Sequence, residues 1–361
     1  MTDDGKLSVL IPRSMSRRAM MKLLGAAAAA TGLGTKFALG AEPLNMFTWT
    51  AFGDDNFVKF SEEKGLPIRP TFYSTSDEMV GKLKGGGAGL YDMVAPIQSY
   101  VPLMAEIGLI APMDKSRITN LSGVFPEFIG TPEWEFNGLY YGTPLVWGAN
   151  AIAYNRKITG DIDSIDALFD PKFAGQISMR DEPEDSLAVG ALKLGIKKPY
   201  DMDERELGEV KKLMISQKPL VRSYWHSFAD LQTVLGSGEA AIAWSFLAAV
   251  KPLRDQGIDA GWVWPKEGAL GWNEGIALVA TSQRKADVED YANLTLSPEY
   301  GKYLGEKSRY ATTSADAVKI MDPTLVTDLG INPASMSQLV FKKALPNRAR
   351  WIEIWNEVKA A

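Results

Sequence analysis

Leu44-Asn45-Met46-Phe47-Thr48-Trp49, followed by Ser76-Asp77-Glu78-Met79-Val80-Gly81-Lys82-Leu83 and then Tyr91-Asp92-Met93-Val94, sets the fold class of this chain. The first run has the length and apolar content of a strand. The second starts with Ser or Asp as a helix cap and carries apolar residues at helical spacing. The third is a strand again. Short apolar runs alternating with helical patterns predict an α/β architecture. Between helix and strand lies Gly85-Gly86-Gly87-Ala88-Gly89. A phosphate cradle follows a strand and opens a helix. This run does the reverse, so it reads as a helix-ending connector.

The alternation continues outward from that stretch. Ala149 to Tyr154 reads as a strand within Leu145 to Asn155. Asp161 to Asp166 looks like a calcium loop but lacks its turn glycine and terminal glutamate. Asp163 or Ser164 capping a short helix from Ile165 to Phe169 is the better reading. Gly175 to Met179 is a strand, Asp181-Glu182-Pro183-Glu184-Asp185 an acidic turn, and Ser186 to Leu194 a helix. Gly236 to Glu239 introduces a strand from Ala240 to Trp244 that should end at a pocket. Gly261 to Pro265 and Glu274 to Ala280 are further strands, and Asn347 to Val358 has helical spacing. No internal repeat is visible.

Composition narrows the function. Arg17-Arg18 precedes a weakly apolar stretch from Leu23 to Leu33, with small residues at Ala38, Gly40 and Ala41. That order reads as a twin-arginine signal peptide over residues 1–40, too short to span a bilayer. It predicts a periplasmic protein. Those forty residues carry six basic and two acidic side chains, a net of +4, leaving about −9 for the remainder against −5 for the whole chain. An acidic surface disfavours nucleic acid and anionic membranes and favours cationic ligands. There is no cysteine. Disulfides, thiol catalysis, thiolate metal sites and a lipid-bearing cysteine are excluded together. With His226 as the single histidine, a histidine-rich metal site is excluded as well. His226 lies at the apolar start of a helix and reads as structural rather than as part of a triad.

Acidic and aromatic residues recur at strand ends: Trp49 and Phe52, Glu182 and Asp185, Trp244, Trp272 and Glu274, and Tyr310. In open α/β sheets, ligands collect where the carboxyl ends of strands meet. Aromatic faces attract alkylammonium groups and carboxylates neutralise them.

The chain from about Leu44 onward resembles the spermidine/putrescine-binding proteins of ABC importers, within the extracellular solute-binding proteins. Phe47-Thr48-Trp49-Thr50-Ala51-Phe52, Met79 to Lys84 with Tyr91-Asp92-Met93-Val94-Ala95-Pro96, and Thr143-Pro144-Leu145-Val146-Trp147-Gly148-Ala149 carry the resemblance. Val263-Trp264-Pro265-Lys266-Glu267-Gly268 through Gly271-Trp272-Asn273-Glu274 is its most specific segment. The resemblance implies a two-lobe fold with a cleft between lobes. Lobe 1 would span 44–148 plus about 275–320, and lobe 2 would span 149–274 plus about 321–361. The crossings would fall near Trp147 to Ala151 and Trp272 to Ile276. It implies Trp49 and Phe52 on one wall, Glu182 and Asp185 on the other, Trp244 beneath the ligand, Trp272 stacking, Glu274 on an ammonium, and Tyr310 close by. It also implies a small amine ligand, an ABC permease as partner, a monomer, and no cofactor.

The chain departs from that pattern at five positions. Phe52 replaces a tyrosine, and Ile97 and Ser99 stand where the polyamine binders have serine and tyrosine. Lys342 or Lys343 falls near a glutamine position, and Arg180 sits beside the acidic turn. A buried cation there would repel one end of a polyamine or pair with a carboxylate on another ligand, such as an amino-carboxylate. The competing class is an exported hydrolase using Glu182 and Asp185 as an acid–base pair. Nothing in the sequence marks a nucleophile or a nucleotide fingerprint.

Overall fold

The computed structural model describes residues 42–331, 336, 338–345 and 347–361. The twin-arginine stretch lies outside the described residues. Strands β1 (Leu44–Thr48), β2 (Ile68–Phe72) and β3 (Met93–Val94) pair in parallel, with helix α1 (Ser76–Lys84) between the last two. The cap of α1 is Thr75, whose hydroxyl accepts from the Glu78 N–H. This lies one residue before Ser76 and two before Asp77, the caps suggested by the sequence.

Two long strands organise the rest: β4 (Thr143–Asn155) and, later in the chain, a partner covering Ala269–Val279. Between them come β5 (Ile177–Arg180), α2 (Pro183–Lys193), β6 (Val221–Trp225), β7 (Ile242–Phe246) and β8 (Ala260–Val263), so the partner is β9. Then follow β10 (Leu339–Phe341) and α3 (Arg348–Ala360). The main path through a 12-stranded sheet is β2-β1-β3-β9-β4-β7-β5-β6. β9 and β4 run antiparallel from Leu270↔Asn150 to Ile276↔Thr143, with a bulge between Glu274 and Gly275. The pairing aligns Trp272 with Gly148 and Asn273 with Trp147.

Two glycines make this pairing possible. A Cβ on Gly148 would lie 2.4 Å from Cζ2 of Trp272, so only glycine lets the indole lie across β4. A Cβ on Gly275 would lie 1.9 Å from the Thr143 carbonyl oxygen, which fixes glycine at the bulge.

Apolar side chains form two large cores and two smaller ones. The first holds Phe47, Met93, Trp147 and Ile276, and the second holds Ile152, Met179, Leu187, Trp244 and Trp355. β4 feeds both, giving Leu145 and Val146 to the first and Ile152 and Tyr154 to the second. Met321, Leu325, Leu329, Ile331 and Met336 pack in the first core. That segment therefore sits with residues 44–147, whereas the sequence reading grouped it with lobe 2.

Element ends differ from the sequence reading in informative ways. Pro183 takes the first helical position of α2, so Glu184 and Asp185 lie in a helical first turn rather than a loop. β7 runs on to Phe246, and β9 starts at Ala269, which puts Trp272 and Glu274 mid-strand. Ile165–Phe169 is a 3₁₀ helix capped by Ser164. His226 is exposed beyond the end of β6 and lies 3.4 Å from Asp181 Oδ2. Among the described residues no helix is long and apolar enough to cross a membrane.

Candidate functional site

The end of β5 and the start of α2 place Arg180, Glu182 and Asp185 within six residues. Carboxylates in the first helical turn gain from the unpaired N–H groups and the helix dipole there. Asp185 is fully buried and carries three polar contacts. Arg180 Nη1 donates to Oδ2 at 2.7 Å, Asn150 Nδ2 donates to the same oxygen at 2.7 Å, and Lys342 Nζ lies 2.7 Å from Oδ1. Glu182 Oε2 lies 2.9 Å from Arg180 Nε, and its Oε1 lies 3.6 Å from Lys342 Nζ. Asp185 Oδ1 and Glu182 Oε2 accept no aligned hydrogen bond among the described residues, so the contacts to those two oxygens are charge contacts.

Lys342 reaches this corner because the chain around it is held on both sides. The Lys342 N–H donates to the Gly271 carbonyl at 2.8 Å, and Gln98 Nε2 donates to the Lys342 carbonyl at 3.1 Å. The residue is 1% exposed, whereas Lys343 is exposed and pairs with Asp201. Burial disfavours the Asp185 carboxylate, but Lys342 and then Arg180 outweigh it and hold its pKa below the usual range. Burial likewise disfavours the Lys342 ammonium, and Asp185 and Glu182 reverse that, raising its pKa.

Glu274 is different. It forms a backbone bridge with Ile97, and the next N–H, that of Gly275, donates to the Pro96 carbonyl. Its half-buried side chain makes no hydrogen bond or ion pair among the described residues. Burial pushes its carboxyl up to about 8, with Glu182 adding to the rise while Arg180 and Lys342 pull against it. Near neutral pH it is a protonated acid with no hydrogen-bond or ion-pair partner among the described residues.

Aromatic rings link the two acidic groups. Trp272 Nε1 donates to Asn150 Oδ1 at 2.9 Å, and the same Asn150 holds Asp185. Tyr310 meets Trp272 edge-on at 5.8 Å and Phe52 at 5.7 Å. The Arg180 guanidinium lies 4.9 Å from the Phe246 ring, itself 6.5 Å from Trp272. Trp49 packs on Tyr73 at 4.4 Å, and the Tyr73 hydroxyl donates to the Ala95 carbonyl. Burial raises the Tyr73 pKa most, and Glu274 raises it next, which places Trp49 and Tyr73 on the Glu274 side. A small cavity of about 40 Å³ opens against Trp272, Tyr310, Phe246 and Trp264. A larger one of about 450 Å³ lies beside Ser99, Tyr100, Glu184 and Arg348.

Of the residues singled out from sequence, the structure gathers Glu182, Asp185 and Lys342 in one charge cluster. It gathers Phe52, Trp272 and Tyr310 in one aromatic cluster, and sets Trp49 beside Tyr73 near Glu274. Trp244 stands apart. It is fully buried in the second core opposite Ile152, not exposed beneath a ligand, and Phe246, one pleat repeat further along β7, is the residue that meets Trp272 and Arg180. Gln98, Asn150 and Phe246 were missed. Asn150 had a readable signal, being an amide inside the apolar strand Ala149 to Tyr154, and a buried amide needs partners.

Two cores sharing crossed long strands, with charges and rings gathered where those strands pair, define a protein built to hold a small solute. The model of the bacterial extracellular solute-binding protein family matches residues 57–332, and the chain belongs to that family. The family is one of binding proteins rather than enzymes. The chain is 28% identical over 318 residues to the spermidine/putrescine-binding periplasmic protein of Escherichia coli K12, covering 86% of this chain and 89% of that one. The putrescine-binding periplasmic protein of the same organism is 23% identical over 372 residues, covering 96% of this chain and 99% of the other. In fold, the chain is similar to the spermidine/putrescine transporter substrate-binding protein of Streptococcus pneumoniae. The TM-score is 0.77 at 19% identity, with 89% of this chain and 99% of that one covered.

Proposed function

We propose that the chain is a periplasmic substrate-binding protein that captures a small cationic amine and delivers it to an ABC permease. The observation that carries this reading is Glu274, a half-buried carboxyl group that has no hydrogen-bond or ion-pair partner among the described residues and lies beside Trp272 and Tyr310. An aromatic wall attracts an ammonium by about 0.5–2 kcal/mol per ring, and a desolvated carboxylate fixes its position. The names of the curated relatives, which bind spermidine and putrescine, support the amine class. In this reading the two cores are two lobes, β4 and β9 are the crossovers, and the second lobe is completed by the chain after Met336. Export would use the twin-arginine route without a lipid anchor, and the mature protein would act as a monomer.

The test is calorimetric titration of the mature protein, freed of ligand by unfolding and refolding, against putrescine, spermidine, agmatine and monoamines. Saturable binding in the micromolar range, about −8 kcal/mol, is expected for at least one amine. Glu274→Gln should weaken it tenfold or more while the circular dichroism spectrum stays that of the parent. Trp272→Ala should weaken it too, by removing the stacking face. Unchanged affinity in both variants would remove this site assignment.

A further inference from the structure

The acidic corner is already neutralised from within. Three carboxylates converge on the site: Glu182, Asp185 and Glu274. Two cations answer them, Arg180 and Lys342, both in contact with Glu182 and Asp185. The neighbouring Glu184 has its own direct cation, Arg348, at 3.0 Å. Once Glu274 gives up its proton to meet a bound ammonium, one negative charge remains, and it is on Glu274. We infer that Lys342 is a built-in counter-ion standing where a second ligand ammonium would bind, so that this chain selects an amine carrying one net positive charge.

This rests on the amine reading above and sharpens it. A diamine whose far ammonium reached Asp185 would meet Lys342 Nζ, already 2.7 Å from that carboxylate. It would have to stand beside a like charge in a poorly hydrated corner or push the lysine out. Lys342 is not easily pushed out, because Gly271 and Gln98 fix its backbone on both sides. A ligand with one ammonium and a neutral tail meets neither obstacle. Its ammonium takes Glu274, and its tail lies along Trp272 towards a corner whose charges are paired. The specificity thus comes from an element that repels the wrong ligand as much as from one that attracts the right one.

The experiment titrates the unaltered mature protein and its Lys342→Gln variant with three four-carbon probes: putrescine, monoacetylated putrescine and 4-aminobutyrate. The unaltered protein should bind monoacetylated putrescine at least tenfold more tightly than putrescine. Lys342→Gln should reverse that order, with putrescine gaining tenfold or more. Putrescine binding the unaltered protein as tightly as the acetylated probe overturns the inference and leaves the amine reading intact. Tighter binding of 4-aminobutyrate than of either also overturns it, since Lys342 would then be reading a ligand carboxylate. If neither protein binds either amine, the amine reading fails, and the inference fails with it. The ranking on the unaltered protein decides the matter even if the variant does not fold.

Discussion

Asp185 is buried and Glu274 half-buried near the same two cations, yet they titrate in opposite directions. Asp185 touches Lys342 and Arg180 directly, so attraction outweighs desolvation; Glu274 feels them only at a distance, so desolvation wins. In the free protein Glu274 therefore holds its proton up to about pH 8, against 4.5 as the ordinary glutamate value. A group raised in this way contributes stability that is present in full below the ordinary value and lost as pH rises through 8. Ligand binding has the opposite slope. An ammonium needs the carboxylate, and alkylammonium groups stay charged to about pH 10. Affinity should climb about tenfold per pH unit between 6 and 8 and then level off, with close to one proton released per ligand at pH 6.5. Titrations in buffers of different ionisation enthalpy read that proton directly. Flat affinity from pH 6 to 9 would show that Glu274 does not meet the charge. Glu274→Gln should be flat by construction. At this scale the sequence was partly readable. Acidic and aromatic types could be picked out in and beside the strands, but Lys342 lies more than 150 positions from Asp185, and no spacing rule joins them.

Helix ends show the same limit one level up. The run Asp181 to Asp185 reads as a turn because acids and a proline cluster there, yet Pro183 is also the usual first residue of a helix. The two readings differ in consequence. A turn would leave Glu184 and Asp185 in water, whereas the first turn of α2 buries both. That burial makes Arg348, at the start of α3, a junction of three helices. Its Nε donates to Glu184 Oε1 at 3.0 Å, and its Nη2 donates to Asp77 Oδ2, on α1, at 3.0 Å. Glu184 is buried and Asp77 is mostly exposed, so the two bonds should differ in worth. Removing Arg348 strands a buried carboxylate; Arg348→Ala should cost about 2–3 kcal/mol in urea unfolding. Asp77→Ala breaks a solvated pair and should cost under about 1 kcal/mol. Equal losses would mean that Glu184 finds other partners when the arginine is gone.

Periodicity identifies strands but not which sheet two distant strands share, so the crossing of β4 and β9 came from resemblance to a family and not from the pattern itself. Its consequence for the whole molecule is mechanical. Each long strand has one end in the first core and the other in the second: Leu145 and Val146 against Ile152 and Tyr154, and Ile276 to Val279 against Leu270. Neither core can lose its strand without unpairing the ladder that serves the other. Chains with two cores often unfold in steps. Here the shared strands favour one cooperative transition. Indoles report on both sides, with Trp134, Trp147 and Trp272 in the first core and Trp244, Trp351 and Trp355 in the second. Tryptophan fluorescence and far-ultraviolet circular dichroism should therefore share a single urea midpoint. A bound amine at a hundred times its Kd should add about 2.7 kcal/mol and move both signals together. If the ligand moved only part of the fluorescence change, the two cores would be unfolding independently, and the paired strands would be a flexible tether rather than a common spine.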